Sequence, residues 1–161
     1  MANPTRPSIA VIHGDLVIDI PATWIDQSTL AFVAPTTPAA PGADGKDGRS
    51  AGPATVEGVT VRFVRLPPGG VVAVLAAERR QQAANDPDLK VLLEEPLTTP
   101  LGAGHLIAWK TTPIDVKLVR MAVAVAHGDA CVLAIATTTA DAFAGARSRL
   151  LDILGSLRRR A

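Results

Sequence analysis

The chain has 161 residues, 48% of them apolar and 19% charged, with a formal net charge of +1. That length favours one domain with a real core, and the near-neutral balance argues against a nucleic-acid binder, which carries a basic stripe to neutralise phosphates. A single cysteine, Cys131, excludes an internal disulfide framework and a Cys-rich zinc site, and aromatic residues are only 3% of the chain, so the apolar mass is aliphatic.

Residues 1–12 read as an N-terminal extension, with no apolar run suited to a secretory leader. The first strand is expected over Asp15–Ile20, where Leu16, Ile18 and Ile20 alternate with Asp15, Val17 and Asp19 before Pro21 ends it. A second strand is expected over Thr29–Val33, with Ser28 in the turn ahead of it. Residues 34–58 then hold nine Pro and Gly residues in 25 positions, including glycines at 42, 45 and 48, and read as a flexible insert. Val59–Leu66 resumes a strand, which Pro67-Pro68-Gly69-Gly70 stops.

Val71–Asn85 carries an apolar patch at helical spacing (Val71, Val74, Leu75) followed by a polar half (Glu78, Arg79, Arg80, Gln81, Gln82), and Asp86-Pro87 ends it. Four strands are expected next, over Leu89–Leu97, His105–Thr111, Val116–Ala126 and Ala130–Thr137. The last two are joined by His127-Gly128-Asp129, a hairpin signal. Met121, Val123 and Val125 alternate with Ala122 and Ala124, so this hairpin is apolar on both faces and belongs in the middle of a sheet. A final helix is expected from Ala140 to about Arg158, opened by a Thr138/Asp141 capping box and buried along Phe143, Ala146, Leu150, Leu154 and Leu157. Arg158, Arg159 and Arg160 would sit at its C-terminal end, where the helix dipole favours positive charge. Runs of antiparallel strands with two packed helices make an α+β protein. The longest apolar stretch, Met121–Ala136, is interrupted by the His-Gly-Asp turn and falls short of the ~20 residues that span a bilayer, so no membrane insertion is expected.

No catalytic constellation emerges. His13, His105 and His127 are too scattered for a helical metal pair, and no phosphate-binding glycine loop ends in Lys-Ser/Thr. Adjacent Glu94 and Glu95 on a strand point to opposite faces, which defeats a carboxylate dyad. The best alternative to a binding protein is a small hydrolase or ligand-binding enzyme using His127, Asp129 and Cys131, against which stands the position of Cys131 at the start of a buried strand. Neither a cofactor nor a metal is expected.

One longer pattern is more informative. Asp15-Leu16-Val17-Ile18-Asp19-Ile20-Pro21-Ala22-Thr23-Trp24-Ile25-Asp26-Gln27-Ser28, followed by Leu30-Ala31-Phe32, resembles the opening of DcrB-like proteins. More narrowly, it resembles the Eag-type chaperones of type VI secretion systems: a short β-segment, Pro-x-x-Trp, an Asp-Gln-Ser-like turn, then a strand. The strand at Thr60–Arg65, the helix ending near Asp86-Pro87-Asp88-Leu89-Lys90, the strand pair from Arg120 and Thr137-Thr138-Thr139-Ala140-Asp141 continue the match. It covers nearly the whole chain outside residues 1–12 and the insert.

The resemblance implies a PsbP-like α+β fold and a cytoplasmic adaptor without enzymatic activity, commonly a homodimer. Eag-type members hold the apolar N-terminal transmembrane segments of a toxin effector and help load it onto the spike protein. Carried over, the partner-binding surface would comprise Thr29, Ala31, Thr60, Arg62, Val64, Glu78, Met121 and Val123. Arg62 and Glu78 depart from what bare membrane helices would prefer. They pair with each other, recognise a less hydrophobic client, or are ordinary surface residues of their strand and helix.

Overall fold

The computed structural model describes residues 8–13, 16–21, 25–28, 31–33, 57–112 and 115–161. In chain order the elements are β1 (Ser8–His13), β2 (Leu16–Pro21), β3 (Ile25–Ser28), β4 (Ala31–Val33), β5 (Gly58–Arg65), α1 (Gly70–Asn85), β6 (Lys90–Thr99), β7 (Gly102–Thr111), β8 (Leu118–His127), β9 (Ala130–Thr139), α2 (Phe143–Gly155) and β10 (Arg158–Arg159). A seven-stranded antiparallel sheet runs β3-β4-β5-β9-β8-β7-β6, and a second sheet of three strands runs β1-β2-β10. The expected α+β architecture of an antiparallel sheet with two helices is the one observed.

The alternation read from β8 and β9 decides the layering. Side chains two apart share a face. Met121, Val123 and Val125 thus join Val132, Ala134 and Ala136 on one face, packed against Leu150, Ile153 and Leu154 of α2 and Leu16, Ile18 and Ile20 of β2. Ala122 and Ala124 join Cys131, Leu133 and Ile135 on the other, with Trp109 and Ile107 of β7, beneath Val74 and Leu75 of α1. Each helix therefore caps its own face of one sheet. Gly128 takes φ +65 at the first of the two hairpin turn residues, a conformation that favours glycine.

Several boundaries differ from the sequence reading. Residues 8–12, expected as an extension, form most of β1, paired with β2 from Ser8↔Pro21 to His13↔Leu16. Ser28, expected in a turn, closes β3, which pairs with β4 through an irregular register between Asp26 and Ser28. The final helix ends at Gly155 rather than near Arg158. Leu157 is buried beyond it, and Arg158 and Arg159 pair with Val17 and Leu16 as strand β10. Arg158 holds Asp19 through two guanidinium hydrogen bonds of 2.7 and 2.8 Å, and the Asp19 N–H donates to Ser156 Oγ at 2.9 Å. The arginine run is thus not a helix end answering a dipole; its first member anchors the chain terminus to β2. The Thr138/Asp141 capping box does not form either. Because β9 continues to Thr139, Thr138 is a strand residue opposite Val119. The Ala142 N–H instead donates to Thr139 Oγ1 at 3.3 Å.

Ladder geometry generates a paired prediction. A Cβ on Gly104, in β7, would lie 2.6 Å from the Ala124 carbonyl oxygen and 2.8 Å from Val125 Cγ2. Gly104→Ala should destabilise the fold by about 1–3 kcal/mol in urea denaturation, because backbone cannot yield there cheaply. Gly145, in α2, has open space at its Cβ, so Gly145→Ala should stabilise by about 0.5–1 kcal/mol through helix propensity and unfolded-state entropy.

Candidate partner-binding face

Helix α1 packs on β8 and β7. On the same face, the neighbouring strip of β9 and β5 presents Ile135, Thr137, Thr60, Arg62 and Val64. The ladder sets Thr60 opposite Ile135, Arg62 opposite Leu133 and Val64 opposite Cys131. Thr60 is exposed, Val64 and Thr137 are half-buried, and Ile135 sits at the margin of the core. This strip is apolar and hydroxylated, and it is bounded along α1 by charge.

The boundary is a polar seam. Glu78 and Gln82 lie four residues apart and therefore on one side of α1. That side turns toward the sheet, leaving Glu78 only 6% exposed. Arg62 Nη2 donates to Glu78 Oε2, forming an ion pair in which the arginine remains half exposed. Gln82 Nε2 donates to Glu78 Oε1 at 3.3 Å, and Arg120 Nη1 donates to Gln82 Oε1 at 2.8 Å. The chain Arg62–Glu78–Gln82–Arg120 thus ties the polar half of α1 to β5 and β8. Burial of a carboxylate is tolerable here because both of its oxygens accept hydrogen bonds. At the C-terminal end of α1, buried Asp86 accepts the Asp88 N–H at 2.9 Å and the Thr112 N–H at 2.5 Å, which docks the helix end onto the residue after β7.

Four of the residues suggested by the resemblance converge here: Thr60, Arg62, Val64 and Glu78. Of the readings of Arg62 and Glu78 left open by the sequence, their mutual pairing is observed. Ala31 lies opposite Thr60 in the β4–β5 ladder, and Thr29 lies outside the described residues. Met121 and Val123 are not on this face. They point toward α2 with 0% exposure, because the alternation of β8 assigns its α1 side to Arg120, Ala122 and Ala124. Sequence reasoning missed the seam roles of Gln82 and Arg120. For Gln82 the signal was its one-turn offset from Glu78; for Arg120 it was the strand parity that places it beside Ala122.

The hairpin residues His127, Asp129 and Cys131 do not assemble into a site. His127 follows Val125 on the α2 side of β8, whereas Cys131 belongs to the cluster on the α1 side, and Asp129 lies in the turn. Cys131 is fully buried, and desolvation raises its pKa above the ordinary thiol value of 9.0. A nucleophilic thiol requires the opposite shift. Among the described residues, no three His, Cys, Asp or Glu side chains gather to hold a metal ion, and no helix is long and apolar enough to cross a membrane.

No family model and no curated protein matches the chain. Solved structures do. A Pseudomonas aeruginosa protein of unknown function is 17% identical, with a TM-score of 0.60 over 96% of this chain and 98% of that one. The cyanobacterial PsbP of Synechocystis is 11% identical, with a TM-score of 0.60 over 97% of this chain and 94% of that one. The Ran-binding protein Mog1p of Saccharomyces cerevisiae is 11% identical, with a TM-score of 0.59 over 96% of each chain. These likenesses show the fold: the chain has the PsbP/Mog1p-like α+β architecture.

Arg62→Ala leaves Glu78 with Gln82 alone and should cost about 1–2 kcal/mol, the exposure of the arginine keeping the loss below that of a fully buried pair. A double-mutant cycle with Glu78→Ala, read by chemical denaturation, should return a favourable coupling of about 0.5–2 kcal/mol. For Cys131 the folded pKa is raised, so its contribution is complete below the unfolded thiol's pKa and is lost as pH rises through the folded value. Stability should therefore fall more steeply above pH ~9 in the wild type than in Cys131→Ala, and Ellman's reagent should react with the thiol only at the rate of unfolding.

Proposed function

We propose that the chain is a non-enzymatic protein-binding adaptor, and more narrowly an Eag-type chaperone of type VI secretion. In this reading it holds an apolar, transmembrane-like N-terminal segment of an effector in the cytoplasm and assists its loading onto the spike protein, acting as a homodimer. The observation that carries the reading is the strip of β5 and β9 beside α1: Thr60, Val64 and Thr137 offer aliphatic and hydroxyl surface over the buried Ile135, and the Arg62–Glu78 pair forms its border. An apolar client segment gains from burial against the aliphatic groups, while the polar border fixes its orientation. The DcrB-like pattern at 15–32 supports the narrower assignment, and the fold is one in which Mog1p is a Ran-binding protein.

Within this reading Thr60, Arg62 and Val64 contact the client, Glu78 holds Arg62 in place from its buried position, and Thr29 and Ala31 are further proposed contacts. Internal pairing of Arg62 with Glu78 lowers the cost of seating an apolar client beside them, because neither of these two charges is left unpaired.

Co-expression with the N-terminal region of an effector encoded beside this gene should yield a soluble complex that co-purifies. Arg62→Asp, which places two carboxylates at the border, should weaken that complex roughly tenfold or more. A folded wild-type protein that never co-purifies with such a segment would overturn the proposal.

A further inference from the structure

We propose that the inner end of the seam is a binding site for one carboxylate supplied by a protein partner, held by Arg120 and the indole of Trp109. The proposal rests on the reading of this face as a partner-binding surface and specifies the chemistry it recognises. Trp109 and Arg120 are directly opposed in the β7–β8 ladder and share the face beneath α1. Trp109 is completely buried, yet its Nε1–H has no acceptor. The Nε–H of Arg120 is likewise buried without an acceptor. Thr111, two residues from Trp109 and on the same side of β7, adds a third buried polar atom without a partner, its hydroxyl. Buried donors are almost always satisfied, so unanswered N–H groups on two residues directly opposed in the ladder call for an acceptor supplied from elsewhere.

Charge identifies that acceptor. The seam holds two guanidinium groups and one carboxylate. Glu78 is engaged by Arg62 and Gln82, and both oxygens of Asp86 accept backbone N–H groups. Among the described residues, Arg120 has the neutral amide of Gln82 as its acceptor and no carboxylate in ion-pair contact. A bound water could accept the two hydrogen bonds but would leave the positive charge unanswered. A carboxylate supplies both, with two oxygens to divide between the guanidinium and the indole. Arg120 is only half-buried as a residue and borders Thr137, its other ladder partner, on the strip assigned to the client. A client carboxylate at the edge of an otherwise apolar segment would therefore reach it.

The test uses the full chain with Trp24→Phe, which leaves Trp109 as the single indole. Titration with sodium acetate at constant ionic strength, against sodium chloride, should move the Trp109 indole N–H resonance saturably. It should also raise the melting temperature by roughly 2–4 °C at saturation. Arg120→Gln should abolish both effects, and Arg120→Lys should weaken them by removing the planar fork. An amidated alanine peptide with one internal glutamate and an alanine peptide with a free C-terminus then distinguish a side-chain from a terminal carboxylate as the source. Equal responses to acetate and chloride would overturn the site even if Arg120 variants fail to fold. So would a response to inorganic phosphate but not to acetate. Loss of acetate binding with client co-purification intact would refute this site alone; acetate binding without any client complex would refute the proposed function alone.

Discussion

The β8–β9 hairpin is buried on both faces, and that constraint organises everything around it. A strand pair with aliphatic side chains up and down cannot lie at a surface without exposing one row, so both faces of the sheet must be covered. The two covers differ. On one face α2, β2 and the inner residues of β5–β9 close a continuous core, sealed by the Arg158–Asp19 clasp and by the bond pair from Arg149 to Glu57. On the other, α1 packs chiefly on β8 and β7 and reaches β5 through the Arg62–Glu78 pair, and its cluster thins out past Leu133 and Ile135 to the half-buried Val64. The difference in cover leaves the α1 side with the accessible strip, which is why the candidate surface lies there.

The polar half of α1 gives that strip a defined border. A helix whose inner side changes from Val74 and Leu75 to Glu78 and Gln82 cannot rest on the sheet by hydrophobic contact along its whole length. The seam solves this by matching Glu78 with Arg62 and Gln82 with Arg120. Desolvating such groups makes them poor sources of net stability, but each pairing penalises any rotation or sliding of α1 that would break it. The seam is thus better understood as a register device for the helix than as an energetic anchor. The imbalance at its inner end, where donors outnumber acceptors, sits beside the surface a partner would approach.

Much of the layering was legible in local pattern. Alternation in β2, β5, β8 and β9 and the glycine turn at 128 are short-range signals, as is the helical spacing of Val71 with Val74 and Leu75 and of Ala146 with Leu150, and they placed the central elements within a few residues. The misses have a common cause in non-local partners. Arg158 and Arg159 form a strand because β2 offers an edge and Asp19 offers a carboxylate, 139 residues earlier in sequence. Ser8–His13 pairs with that same strand on its other edge. Thr138 remains in the ladder rather than capping a helix because Val119 lies opposite. The candidate surface was half legible: Thr60, Arg62, Val64 and Glu78 converge, whereas Met121 and Val123 share a strand with the face but point away from it, and strand parity relative to the helix is what a resemblance of order and spacing does not carry.

The central claim is that partners meet the α1 side of the sheet beside the seam. Its most direct measurement is site-specific photo-crosslinking in the client co-expression complex, with the photoreactive residue at Thr60 on the strip or at exposed Arg147 on α2. The account predicts a covalent client adduct from position 60 and none from position 147. Adducts from position 147 with none from position 60 would contradict it, and would move the partner surface to the opposite side of the sheet.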